Sequence, residues 1–380
     1  MRAKDYIGYF LHTHNNDKCL FITRGINHHD ITLRPVIDFI NEKKPECVLY
    51  NHHTEGAVEW LTSSWDEKIQ FKLNPDFYEL EKTLLDNNCK LYLVLGCHEP
   101  ELFKEYDNLI KNFKILYWPT YLISHTFDGL KDLYLYPRGL DGKLKVDDLS
   151  INKRFDKLYL NFNNKPRYHR CVMMDQLYLN DLYNDGINTW NIKLEEQGIF
   201  DILVNERHMK YDFKYWKEEH LKIDGYKIKE RGFADEYTDM ILDPGCFMAL
   251  VGESSKDIPF VTEKTYRSIF LEHPFLCYGA KNQNKEITKY GFQLYDEIFN
   301  YSFDGLDDIN DRIEGVIQNL KRIKGKNYYD LYEMLLPKIK ANKQRALQLR
   351  EDDSEFNPYV EFYKKYGPDS QNKELDGGGF

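Results

Sequence analysis

Long apolar runs are missing from this chain of 380 residues. No stretch approaches the ~20 consecutive apolar residues that a membrane span requires, and the opening MRAKDYIGYFLHTHNND has no apolar core of signal-peptide length. A basic excess is missing as well. The net charge is −10, so the chain lacks the overall positive character with which dedicated nucleic-acid binders neutralise phosphates, although a local basic groove remains compatible with it. The seven cysteines, at 19, 47, 89, 97, 171, 246 and 277, are odd in number and scattered, with no Cys-x-x-Cys spacing. They read as buried thiols of a reducing compartment rather than as a disulfide framework. No Asp-x-Asp triplet offers itself as a metal holder, and no internal repeat occurs. Together these absences predict a soluble, cytoplasmic protein without a membrane span.

What the chain has in quantity is aromatic: 29 Tyr and 23 Phe, suited to packing and to stacking on sugars or bases. Its length suggests two to three domains with ample core. Residues 1–135 alternate short apolar strands with helical patterns. Tyr6–Leu11, Cys47–Tyr50, Leu91–Leu95 and Phe113–Tyr117 read as strands. Asn74-Pro75 reads as a helix start, with Phe77, Leu80, Leu84 and Leu85 on one face. Such alternation predicts a parallel sheet. The stretch 137–150 carries turn residues and charges and reads as a linker. A second strand-helix series then begins: Asp156–Phe162 as strand, Asn163–Pro166 as turn, Arg167–Leu177 as helix. Arg167 and Arg170, three apart in the first turn, are expected to share a face. Cations there oppose the helix dipole and call for an anion.

Met248–Gly279 concentrates the polar chemistry. Cys246–Val251 reads as a strand buried on both faces. Thr262 precedes a helix with Tyr266, Ile269 and Phe270 at i, i+3 and i+4, Pro274 is expected to stop it, and Phe275–Tyr278 supplies the next strand. Glu253, Glu263 and Lys264 are thereby placed beyond strand carboxyl ends, where open α/β sheets bind ligands. Downstream, Asn284–Tyr290 reads as a helix, Gly291–Tyr295 as strand or turn, Leu306–Ile323 as an amphipathic helix and Asn327–Lys364 as largely helical. Gly367–Phe380 reads as a disordered tail.

Glu253-Ser254-Ser255, a short spacer and Val261-Thr262-Glu263-Lys264 resemble the donor-site signature of the α1,3-fucosyltransferase family, glycosyltransferase family 10. That family reads Phe-Glu-Asn-Ser, a spacer and Tyr-Val-Thr-Glu-Lys. Ser254 stands where the family has Asn, and Phe260 where it has Tyr. The Asn163–Leu177 stretch resembles the family's Ser-Asn-x(n)-Arg element, in which an arginine holds the donor diphosphate; Arg170 is the matching residue. The resemblance covers about 155–340 and is weak over 1–150.

The resemblance implies an α/β fold of two Rossmann-like domains facing across a cleft, a GT-B-like glycosyltransferase. Its parts would be an acceptor-side domain at 1–150, a nucleotide-sugar-binding domain at 151–340, and a C-terminal helix and tail at 341–380. The donor would be a nucleoside-diphosphate sugar, with guanosine favoured, and the acceptor a glycan, small molecule, protein or modified DNA. No cofactor or metal is implied. Arg167, Arg170, Glu253, Ser254, Phe260, Thr262, Glu263 and Lys264 would line the donor site. A carboxylate such as Glu263 accepts hydrogen bonds from ribose hydroxyls, and an ammonium such as Lys264 neutralises charge on the leaving diphosphate.

A catalytic base is expected at Gly96-Cys-His-Glu-Pro100, which follows the strand at Lys90–Leu95. Glu99, followed by Pro100, loosely resembles the family's Glu-x-Pro element; His98 is its rival. Two other classes remain open. His12, His14, His28, His29, His52 and His53 crowd the first 53 residues, as in the opening of a metal-dependent hydrolase, although no second ligand element follows at a recognisable spacing. A non-catalytic nucleotide-sugar or nucleic-acid binding module would keep the donor pocket without the base.

Overall fold

The computed structural model describes residues 19–23, 34–52, 76–95, 111–118, 120, 122–124, 126–127, 130, 153–163, 167–190, 245–253, 256, 259–357, 360 and 362. The chain gathers into two compact units, Met1–Ser124 with Gln348–Phe380, and His125–Leu347. The strand expected at Tyr6–Leu11, the helix start at Asn74-Pro75, the linker at 137–150 and the tail Gly367–Phe380 lie outside the described residues.

In the first unit, four strands lie side by side in chain order, all parallel: β1 (Cys19–Thr23), β2 (Cys47–His52), β3 (Lys90–Leu95) and β4 (Phe113–Tyr117). Consecutive residues Cys47, Val48 and Leu49 of β2 are all buried, so the strand is covered on both faces and reads as an unbroken apolar run. Helices α1 (Arg34–Lys43) and α2 (Asp76–Asp86) bury Ile37, Ile40, Leu80 and Leu84. The sequence reading had neither β1 nor α1. It also placed Leu85 on the buried face, where the structure leaves it 46% exposed. The α2 stripe is Leu80, Thr83 and Leu84, the i, i+3, i+4 set, and Leu85 is rotated off its edge.

The C-terminal segment belongs to this unit. Trp118 Nε1 and Thr120 Oγ1 donate to Asp353 Oδ2 at 2.7 and 3.0 Å, and Asn357 Nδ2 donates to Asp353 Oδ1 at 3.1 Å. Phe362 meets Tyr92 edge-on with ring centres 4.6 Å apart. A buried carboxylate is tolerable only when its lone pairs are taken up, and these three donors do so.

The second unit holds β5 (Lys157–Asn163), β6 (Gly186–Trp190), β7 (Cys246–Gly252) and β8 (Phe275–Tyr278), all parallel, in the order β6-β5-β7-β8. Every residue of β7 is buried. Helix α3 (Tyr168–Leu179) links β5 to β6, and α4 (Glu263–Phe270) links β7 to β8. Alternation along β5 shows that they lie on opposite faces of the sheet. Asn161 donates to Met174 Sδ of α3 at 3.3 Å, whereas the next residue, Phe162, lies 5.2 Å from the guanidinium of Arg267 on α4. The strand order therefore reverses between β5 and β7, and the loops leaving their carboxyl ends part to opposite faces. This is the switch point at which open α/β sheets form a ligand crevice.

Among the described residues the chain continues through α5 (Gln283–Thr288), α6 (Ile309–Ile323) and α7, which runs Tyr328–Glu351 and passes from the second unit into the C-terminal segment of the first at Gln348. Asp308 caps α6, accepting from Asn310 N at 2.6 Å, so the helix begins three residues after the expected Leu306. It buries Ile309, Ile313, Val316, Ile317 and Leu320. The expected strand or turn at Gly291–Tyr295 is irregular. Asn342 brackets its backbone, accepting from Gln293 N at 2.7 Å and donating to Gln293 O at 2.9 Å. Helix α7 stops well short of Lys364, where Asp352 turns its carboxylate onto Ser354 N at 3.0 Å.

Candidate functional site

The crevice between β5 and β7 is built on Glu253, the residue that follows β7. Its carboxylate is fully buried, and Oε1 accepts from Thr262 N at 3.1 Å and from Thr265 Oγ1 at 2.5 Å, while Oε2 accepts from Thr262 Oγ1 at 2.5 Å. Desolvation raises its pKa, against the opposing pull of Lys264 and the two threonine hydroxyls. Thr262 is the N-cap of α4, its Oγ1 accepting from Lys264 N at 3.2 Å. Glu253 thus fixes where α4 starts. Both of its oxygens are taken by the protein, so it shapes the loop before α4 from within.

Lys264 and Glu263 stand at the outer side of that start. Lys264 Nζ lies 3.1 Å from Thr262 Oγ1 and 3.1 Å from Glu263 Oε1. Burial pushes the Glu263 pKa upward, but Lys264 and Arg267 outweigh it and hold the carboxyl below its ordinary value. Both remain partly accessible, at 42% for Glu263 and 17% for Lys264. Lys264 and Arg267 border a cavity of about 20 Å³ floored by Leu160, Phe162 and Val251, room for one water molecule. Phe260 is buried, and Gln283 brackets its backbone with hydrogen bonds of 3.0 and 2.9 Å.

From the other face comes the first turn of α3. Arg170 is buried, and its Nη2 donates to Gly252 O at 2.9 Å and to Glu253 O at 3.2 Å. Arg167 is exposed and sits at the N-cap with φ −138 and ψ 147. The two arginines thus differ in exposure, and Arg167 lies near enough to Arg170 for its charge to act on it. Backbone carbonyls at the end of β7 supply part of the compensation that a cation at a helix N-terminus requires.

Beneath Arg170 lies a floor of polar side chains on the α3 face. Tyr278 of β8 reaches across β7 and donates to Asn161 Oδ1 and Asn163 Oδ1 at 3.1 and 3.3 Å. Asn163 Nδ2 donates to Asn161 Oδ1 at 3.0 Å, and Asn161 Nδ2 to Asn188 Oδ1 at 3.1 Å. The crossing depends on Gly252, where a Cβ would stand 2.6 Å from the Tyr278 hydroxyl. His169 is buried, donates from Nε2 to Glu253 O at 2.8 Å, and meets the Tyr278 ring edge-on. Desolvation, then Arg170, lower its pKa to about 3, so it is a neutral imidazole.

The crevice thus brings together Arg170, Glu253, Thr262, Glu263 and Lys264, with Arg167 at the entry of α3 and Phe260 in the loop before α4. Ser254, Glu99 and His98 lie outside the described residues, as do His12, His14, His28, His29 and His53. Among the described residues, no group of His, Cys, Asp and Glu side chains is arranged to hold a metal ion, and no helix is long and apolar enough to cross a membrane. Sequence reasoning passed over Thr265, His169, Gly252 and the Asn161–Asn163 pair. The last had a signal: two polar residues at period two on an otherwise apolar strand mark a polar stripe on one face. No protein-family model, curated protein or solved structure matches the chain.

Proposed function

We propose that the chain is a glycosyltransferase that moves a sugar from a nucleoside-diphosphate sugar to an acceptor hydroxyl, with inversion and without a metal, on a GT-B-type pair of Rossmann-like domains. One observation carries the reading. Two cations on opposite faces of the sheet are tied to the same residue at the switch point: Arg170 to the Glu253 carbonyl, and Lys264 to the Thr262 hydroxyl that Glu253 holds. A nucleoside diphosphate is the ligand class whose charge such an arrangement suits. The resemblance of Val261-Thr262-Glu263-Lys264 and Arg170 to the fucosyltransferase signature supports the same ligand and favours guanosine.

In this reading the acceptor oxygen attacks the anomeric carbon, and its proton passes to the Glu99 carboxylate. The bond from the anomeric carbon to the diphosphate oxygen breaks, and its electron pair leaves with the diphosphate. Arg170 and Lys264 stabilise the charge that grows there. Glu263 accepts from the ribose hydroxyls, a task suited to a carboxylate held ionised. The test is Glu99→Gln, which keeps shape and removes the base. Transfer, or background hydrolysis of the sugar nucleotide, falls by about 10²–10⁴-fold with donor affinity unchanged, and chelator has no effect. Undiminished activity moves the base to His98 or another residue, and abolition by chelator favours the metal hydrolase.

A further inference from the structure

A further cation stands at the same crevice. Lys256, in the loop that leaves β7, is half-buried, and its Nζ lies 5.9 Å from the ring centre of Tyr168, the first residue of α3. Its backbone is pinned. Arg312 of α6 is buried and donates from Nη2 to the Lys256 carbonyl at 3.2 Å, from Nη1 to those of Leu306 and Asp307 at 2.7 and 2.8 Å, and from Nε to that of Gly279 at 3.1 Å. The ring beneath the ammonium is anchored to the same helix, since the Tyr168 hydroxyl donates to Asn310 Oδ1 at 3.2 Å.

Loop and ring are thus both fixed on α6, which sets where the Lys256 charge can sit. Arg170, Arg167 and Lys256 all lie within electrostatic reach of the His169 ring and, after desolvation, each disfavours its protonation. Three like charges around one buried imidazole repel one another, and the repulsion turns to attraction when a multiply charged anion arrives among them. Arg170 serves the α3 side of the crevice and Lys264 the α4 side, and Lys256 stands beside the first turn of α3 as a second cation next to Arg170. It adds positive charge where the charge of a departing diphosphate grows.

Resting on the nucleotide-sugar reading above, we propose that Lys256 is a further phosphate-binding residue, which takes the donor diphosphate from the α3 side and separates a diphosphate from a bare nucleoside. Titration calorimetry on the full chain tests it, with guanosine, uridine, adenosine and cytidine diphosphates and, for whichever binds best, its own nucleoside. Lys256→Gln weakens diphosphate binding about tenfold, the scale of one lost charge-assisted contact. It leaves nucleoside binding unchanged, and Lys256→Arg recovers most of the loss. Equal diphosphate affinity in parent and Lys256→Gln overturns the assignment while the nucleotide reading stands. Equal loss of nucleoside and diphosphate binding overturns it too, because Lys256 then acts through the shape of the loop. A folded parent that binds none of the four diphosphates ends both readings.

Discussion

His169 and His273 are buried imidazoles whose ring nitrogens meet backbone carbonyls, Glu253 O and Cys246 O, at 2.8 and 3.2 Å. Desolvation lowers both pKa values from 6.5 to about 3. The unfolded chain therefore binds protons that the folded chain refuses. Their contribution to stability is fully present above pH 6.5 and erodes as pH falls from there toward 3. Glu253 works in the opposite direction, because desolvation raises its pKa, so the informative quantity is a difference between variants. Between pH 7.5 and 5 the parent loses about 2 kcal/mol more stability than His273→Gln, since one imidazole less must be kept neutral on folding. Denaturant unfolding at the two pH values measures this. Equal losses in both proteins would mean that His273 is not held neutral.

The element on which most depends is α4, and its beginning was legible in the sequence. Thr262 before an i, i+3, i+4 apolar set marks a capped helix whatever the tertiary context. Its end was misread. Pro274 lies beyond the stop, which is a left-handed turn at Glu272, with φ 58, where Glu272 N donates to Ile269 O and His273 N to Ser268 O. Glycine usually fills that position. Glu272 holds it through tertiary bonds that no local pattern reveals: its carboxylate pairs with buried Lys343 at 2.9 Å, and its carbonyl accepts from the Tyr332 hydroxyl at 3.0 Å. Two effects oppose each other in Glu272→Gly. Relief of the left-handed backbone gains about 1 kcal/mol, whereas breaking the buried ion pair by removing its carboxylate costs about 3 kcal/mol. The variant should therefore be less stable than the parent by roughly 2 kcal/mol, and adding Lys343→Met should recover much of the loss. A Glu272→Gly protein more stable than the parent would show the ion pair to be worth less than the turn.

Across the whole molecule, alternation of strands and helices announced parallel sheets, because that pattern is local. Strand order is not local. The first unit runs β1-β2-β3-β4 without reversal, and the second runs β6-β5-β7-β8, a difference set by which edge each crossover helix returns to. Among the described residues the reversal, and with it the crevice between β5 and β7, belongs to the second unit. The residues that resemble a donor signature flank that crevice: Arg170 begins one crossover and Thr262, Glu263 and Lys264 the other. The network under them joins side chains from three strands, β5, β6 and β8, and was invisible in the chain, apart from the period-two asparagines of β5. The most direct test is thermal unfolding of the full chain with guanosine, uridine, adenosine and cytidine diphosphates in turn. At a hundredfold excess over its dissociation constant, one of them should stabilise the protein by about 2.7 kcal/mol, and Lys264→Ala should shrink the shift. No shift with any of the four would contradict the assignment of the β5–β7 crevice as a nucleoside-diphosphate site.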